Sequence, residues 1–148
     1  MALVVAACTH ASSTPTPETP AEHRPADKAQ PTEAKRTVVT STDIELLDPI
    51  GFLPTTDAIE PRSIRTLDAI AQTLVANTSI VLVEVQAFAP DALADVRARL
   101  AADRARVIVD ELVARGVARN RLTPEGYATL PPGNPKGAPL FVVVRWAN

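Results

Sequence analysis

A chain of 148 residues with 15 Lys and Arg against 17 Asp and Glu has a formal net charge of -2 and offers no basic face to a phosphate backbone. Its few aromatic residues (Phe52, Phe88, Tyr127, Phe141, Trp146) are too scattered to stack bases, so no nucleic-acid partner is expected. The single cysteine, Cys8, excludes an internal disulfide and a thiolate cluster, and both histidines (His10, His23) lie in the polar N-terminal stretch; the rest of the chain therefore lacks a histidine base or ligand, and neither enzymatic activity nor a metal or other cofactor is expected.

The first segment is "MALVVAAC", residues 1–8. Small residues run directly into the lone Cys8, and a spacer of Pro, Thr, Ala and Glu follows from residue 9 to about residue 40. Pro15, Pro17, Pro20, Pro25 and Pro31 deny that spacer a helix or a ladder, and such a chain reaches roughly 3 Å per residue. "VAAC" resembles a bacterial lipobox, in which the cysteine is lipidated; the resemblance implies attachment to a membrane through Cys8 and removal of the residues before it. Thr9 fits sorting to the outer membrane. No Lys or Arg precedes the apolar run, which is shorter than the ~7 to 15 residues of a signal core, so the true start is expected upstream of Met1.

The domain is expected over residues 41–148. "DIELLDPIGF" alternates Ile44, Leu46, Ile50 and Phe52, with Pro49 and Gly51 marking a bend, and reads as a strand near a sheet edge. Ile64, Leu67, Ile70, Ala71, Leu74 and Val75 recur at spacings of three and four, an amphipathic helix with Pro61 suited to its first turn. "SIVLVEVQAF" is a β-branched run that suits a central strand. A second helix is expected from Asp91 to Arg115, with Leu93, Val96, Leu100, Val107, Ile108 and Leu112 inward and Gly116 as its stop. "RLTPEGYA" and "APLFVVVRWA" read as two last strands around the loop "TLPPGNPKGA". The order is β-α-β-α-β-β: an α/β two-layer sandwich with helices on one side of the sheet.

The blocks "IELLDPIGFLPTTDAIEPRSIRTLDAIAQTL", "VLVEVQAF" and "LAADRARVIVDELVARGVARNRLTPEGYA" resemble the C-terminal domain family of OmpA, the peptidoglycan-associated module of Pal-like lipoproteins, OmpA-type porins and MotB-type stators. The most specific features are Leu100 with Arg104-Ala105, then Gly116-Val117, Arg121-Leu122 and Gly126-Tyr127. The lipobox and tether ahead of such a domain match a Pal-like arrangement: a lipid-anchored outer-membrane protein with its domain in the periplasm.

The resemblance implies a ligand, the diaminopimelate of the peptidoglycan stem peptide. A zwitterionic head needs an anion for its ammonium and a guanidinium for its carboxylate. In the family these are an aspartate closing a Gly-His-Thr-Asp run and the arginine of the Arg-Ala pair. Here the arginine corresponds to Arg104, but the run is Val85-Gln86-Ala87-Phe88, which puts Phe88 at the aspartate position. Arg97 replaces an asparagine, Ala101 a serine, and Gly137-Ala138-Pro139-Leu140 the late Asn-Arg-Arg segment. Phe88 is expected to fill the pocket and to weaken or abolish the clamp. Asp91 is either a substitute anion or, following Pro90, a helix N-terminal residue. Arg104 is either the clamp or a surface residue paired with Glu111, since Arg97, Arg104 and Glu111 share a helix face. Tyr127 reads as core rather than contact. Two functional readings stand: a lipid-anchored wall-binding module with a degenerate clamp, and an envelope protein-interaction module that uses Phe88, Pro90 and Arg97, or an open edge of the last strand, to dock a partner.

Overall fold

The computed structural model describes residues 37–148. Residues 1–36, including Cys8, His10 and His23, lie outside the described part. Already at its first described residue the chain is in a strand: β1, Thr37–Val39, pairs antiparallel with β2, Ile44–Leu46, with Thr37 opposite Leu46 and Val39 opposite Ile44. Residues 37–39, expected at the end of the tether, are thus paired in a two-stranded ribbon. The Thr37 hydroxyl is buried against the Thr73 hydroxyl at 2.6 Å, which fixes the chain's entry point.

The strand expected through Phe52 stops at Leu46. Pro49 cannot donate to a ladder, and Phe52 is left with an isolated antiparallel bridge to Ile59. After a 3-10 turn at Pro61–Ser63 comes α1, Ile64–Ala76. Leu67, Ile70, Ala71 and Leu74 are buried as the periodicity requires, whereas Ile64 and Val75 are about half exposed and Thr66 and Thr73 are buried instead. The long strand β3, Ile80–Phe88, is central, parallel to β4 (Leu122–Tyr127) on one side and antiparallel to β5 (Leu140–Trp146) on the other. Its alternation sends Val83, Val85 and Ala87 into the core and leaves Leu82, Glu84 and Gln86 half covered on the opposite face.

The second helix, α2, spans Arg97–Ala114 and so begins six residues later than expected. Residues 91–96 form turns instead, closed by the Ala92 amide to the Ala89 carbonyl and the Val96 amide to the Leu93 carbonyl, each at 3.1 Å. Its inward face is also rotated from the expected one. Ala101, Arg104, Ala105, Ile108, Val109 and Leu112 are buried, Leu93 and Val96 are exposed, and Leu100 and Val107 are only partly covered. The alanines let α2 lie directly on β4: a Cβ built at Gly126 would stand 2.2 Å from the Ala102 amide nitrogen. Gly126 is required for this close approach.

The core gathers α1, α2 and the inward residues of β2, β3 and β5 around Ile70, Val83, Val85, Ile108 and Phe141. The outer edge of β5, considered above as a docking edge, is covered at Val142 and Val143, where Asp43 bridges Val142 and the Val143 amide donates to the Thr42 carbonyl at 2.7 Å; β5 is otherwise the edge strand of its sheet. Among the described residues no helix is long and apolar enough to cross a membrane. The whole is a two-layer α/β arrangement, with the expected helices and central strand and one additional strand at the start.

Candidate functional site

Arg104 sits in the middle of the buried face of α2, where its neighbours Ala101, Ala105 and Ile108 are fully covered. A guanidinium there is 3% exposed, and burial on that scale requires that its donors be paired. They are. Nε donates to the Thr56 carbonyl at 2.8 Å, Nη1 to the Phe88 carbonyl at 3.0 Å and to Asp91 Oδ1 at 2.8 Å, and Nη2 to Asp91 Oδ2 at 2.9 Å. The guanidinium carbon also lies 4.7 Å from the centroid of the Phe52 ring, within cation–π range. One arginine thus ties together the 52–56 loop, the end of β3 and the start of the 91–96 turns.

Asp91 is the acidic half of that knot. Its carboxylate accepts the bidentate fork of Arg104 and, at Oδ2, the Thr55 amide at 2.5 Å. The Arg104 hydrogen bond holds the Asp91 carboxyl down at about 2, against an ordinary value of 3.8; partial burial opposes this and the Thr55 amide adds to it. Asp91 therefore caps no helix. α2 starts at Arg97 with Val96 at its N-cap and no side-chain cap, since a valine carries no acceptor and Asp91 lies five residues before that position. Thr55 reaches Asp91 only by adopting φ 57, a left-handed conformation that is unfavourable for a β-branched residue.

Asp91 and Arg104 lie at the floor of a cleft of about 980 Å³, walled by Ile50, Phe52, Pro54 and Pro90, with Arg62, Arg65 and Lys136 also facing it. Asp91 keeps a third of its side chain exposed to this space.

Of the residues singled out in the sequence, two meet here and two do not. Arg104 and Asp91 pair with each other and line the cleft. Phe88 does not fill it: the side chain is 2% exposed and stacks on Tyr127, its register partner on β4, with centroids 5.9 Å apart and planes at 29°. Phe88 contributes its carbonyl alone, as an acceptor for Arg104. Tyr127, expected in the core, is partly exposed, and its hydroxyl donates to Glu84 Oε1 at 2.8 Å. Arg97 folds back on the Ala92 carbonyl at 3.1 and 3.3 Å and lines a separate cavity of about 350 Å³ with Tyr127 and Leu130. Arg104 does not pair with Glu111, which bonds Arg115; that arginine also reaches Asp68 on α1 at 2.6 Å. Phe52, Thr55 and Thr56 were missed, and no sequence signal marks them, since their role is a loop conformation and a carbonyl brought from 48 residues away.

A model of the OmpA family matches residues 51–139, a span that holds Phe52, Thr55, Asp91 and Arg104. The chain belongs to the OmpA family. Among solved structures, this OmpA domain is similar to the periplasmic domain of Helicobacter pylori MotB, at 21% identity and a TM-score of 0.59 over 76% of this chain and 82% of that one. An outer-membrane protein of Borrelia burgdorferi B31 matches at 18% identity and a TM-score of 0.57, covering 74% of this chain and 95% of the other. The OmpA-like domain of FopA1 from Francisella tularensis matches at 12% identity and a TM-score of 0.54, over 76% and 82%. These likenesses establish a shared fold. No curated protein matches the chain.

Proposed function

We propose that this OmpA domain is a non-enzymatic cell-wall module that takes the peptidoglycan stem peptide into the cleft above Asp91 and Arg104. The observation that carries the reading is the bidentate Asp91–Arg104 pair at the floor of an open cleft, within the matched family span. Asp91 supplies the carboxylate that Phe88 cannot, so the clamp is rebuilt from the following turn rather than simply lost. A diaminopimelate ammonium would meet an ionised, third-exposed carboxylate that accepts three hydrogen bonds and keeps about one lone pair to spare. In the same proposal residues 1–8 are a signal remnant ending in a lipidated Cys8, the residues after it are a tether, and the domain works in the periplasm on an outer-membrane anchor.

A second reading, an envelope protein-interaction module without wall binding, is favoured by one feature. Arg104 already spends four of its five N–H donors on the protein itself.

Co-sedimentation of the full chain with diaminopimelate-type sacculi decides between them. Wall binding predicts that the wild type pellets and that Asp91→Asn, checked for an unchanged fold by circular dichroism, largely stays in the supernatant. A wild-type chain that stays in the supernatant ends the wall reading and leaves the interaction module. Incorporation of labelled palmitate into the wild type, and none into Cys8→Ser, tests the anchor.

A further inference from the structure

With four donors engaged, Arg104 has a single Nη2 N–H left for a ligand, on a side chain that is almost wholly buried. A carboxylate entering the cleft cannot obtain a bidentate fork from it unless Asp91 is displaced. The other charges facing the cleft are not equally engaged. Arg62 is bonded to Glu60, and Asp48 has an interaction of its own. Arg65 and Lys136 also face the cleft; both are exposed, and neither forms an ion pair among the described residues.

These two cations come from different elements. Arg65 stands in the first turn of α1. Lys136 lies in the β4–β5 loop, immediately before Gly137, whose φ of 66 and missing side chain let the loop rest on Pro90: a Cβ there would fall 2.8 Å from the proline Cδ. The loop is thereby seated against the residue next to Asp91, and Lys136 is brought to the same opening as Arg65. Over the whole lining, Arg62, Arg65, Arg104 and Lys136 outnumber Asp48, Glu60 and Asp91 by one.

We propose that Arg65 and Lys136 form a carboxylate subsite at the mouth of the cleft, so that an acidic peptide is held there by these two side chains while Arg104 stays locked to Asp91. Arg104 then acts as a positioning residue that holds Asp91 for the ligand's ammonium, and the carboxylates bind further out. The identity of the peptide as a wall fragment rests on the reading above; the subsite does not.

The test is an amide NMR titration of the full chain with a soluble stem tripeptide carrying free carboxylates, and with the same tripeptide as its carboxamides. The free acid is expected to shift the Arg65 and Lys136 amides saturably. The Kd is expected to rise by about tenfold or more on amidation of the peptide, or in the double variant Arg65→Gln with Lys136→Gln, whose exposed side chains leave the melting temperature unchanged. Binding that is equally tight in the double variant, or indifferent to amidation, overturns the subsite, as does the absence of any shift at both residues. Sacculus pelleting separates the two ideas. If the chain pellets and the double variant pellets equally, the subsite is wrong and wall binding stands; if nothing pellets but the free-acid peptide still binds through Arg65 and Lys136, the wall reading falls and the subsite stands.

Discussion

Asp91 and Arg104 face each other through two parallel hydrogen bonds of 2.8 and 2.9 Å, with Arg104 buried and Asp91 a third exposed. The pair's contribution to stability follows the ionisation of Asp91. Because the folded-state carboxyl titrates at about 2 and the ordinary one at 3.8, the contribution is complete above about pH 4 and is lost as pH falls towards 2. Solvent screening limits it to about 1 kcal/mol. Urea midpoints measured between pH 2 and pH 7 are expected to fall on the acid side in the wild type, and to fall less in Asp91→Asn.

Arg104→Ala removes the donor from the Thr56 and Phe88 carbonyls as well as from Asp91, so its effect reaches beyond one ion pair. We expect a loss of about 3 to 5 kcal/mol in equilibrium unfolding. Arg104→Lys keeps the charge but cannot span the same acceptors, and should lose about half as much.

Where Gly126 crosses α2 there is no room for a methyl group, since the Ala102 nitrogen and the Ala101 carbonyl carbon would lie 2.2 and 2.6 Å from it. Both obstacles are backbone and cannot swing aside. Gly126→Ala should destabilise the domain by about 3 kcal/mol, seen as a lower urea midpoint with an unchanged slope.

Arg121 donates to the carbonyls of Leu74, Asn77 and Ile80, closing the C-terminal end of α1 and the turn into β3. Arg121→Ala leaves those acceptors to water and should cost about 2 kcal/mol. Hydrogen exchange is expected to quicken first in the last turn of α1.

Periodicity made α1 legible through Leu67, Ile70 and Leu74, and the β-branched run did the same for β3, because burial on one face imposes a pattern on consecutive residues. Two things resisted. The inward face of α2 was misjudged because the helix lies on β4 through Ala101, Ala105 and Gly126, and small residues carry little hydrophobic signal although they set the distance of approach. The site was half legible. Arg104 stands in a local motif, but the choice of Asp91 over Glu111 as its partner depends on how the 91–96 turns fold back, and the Thr55 amide and Thr56 carbonyl leave no mark in the side-chain sequence. Phe88 sat in the register expected of a ligand residue, yet its ring turned to Tyr127, a direction set by the pleat of a sheet whose β4 neighbour lies nearly forty residues further on.

The entry of the chain at Thr37 has a mechanical consequence. A force pulling on the segment before residue 37 acts first on β1, held to the domain by three residue pairs with β2 and one hydroxyl contact to Thr73. That ribbon is joined to the central sheet by the Asp43–Val142 bridge, by the Val143 amide donating to the Thr42 carbonyl and by the Trp146 indole N–H donating to the Ser41 carbonyl. Under tension it should peel away before β3, β4 and β5 separate, releasing the chain from Thr37 to Leu46 while the cleft keeps its shape.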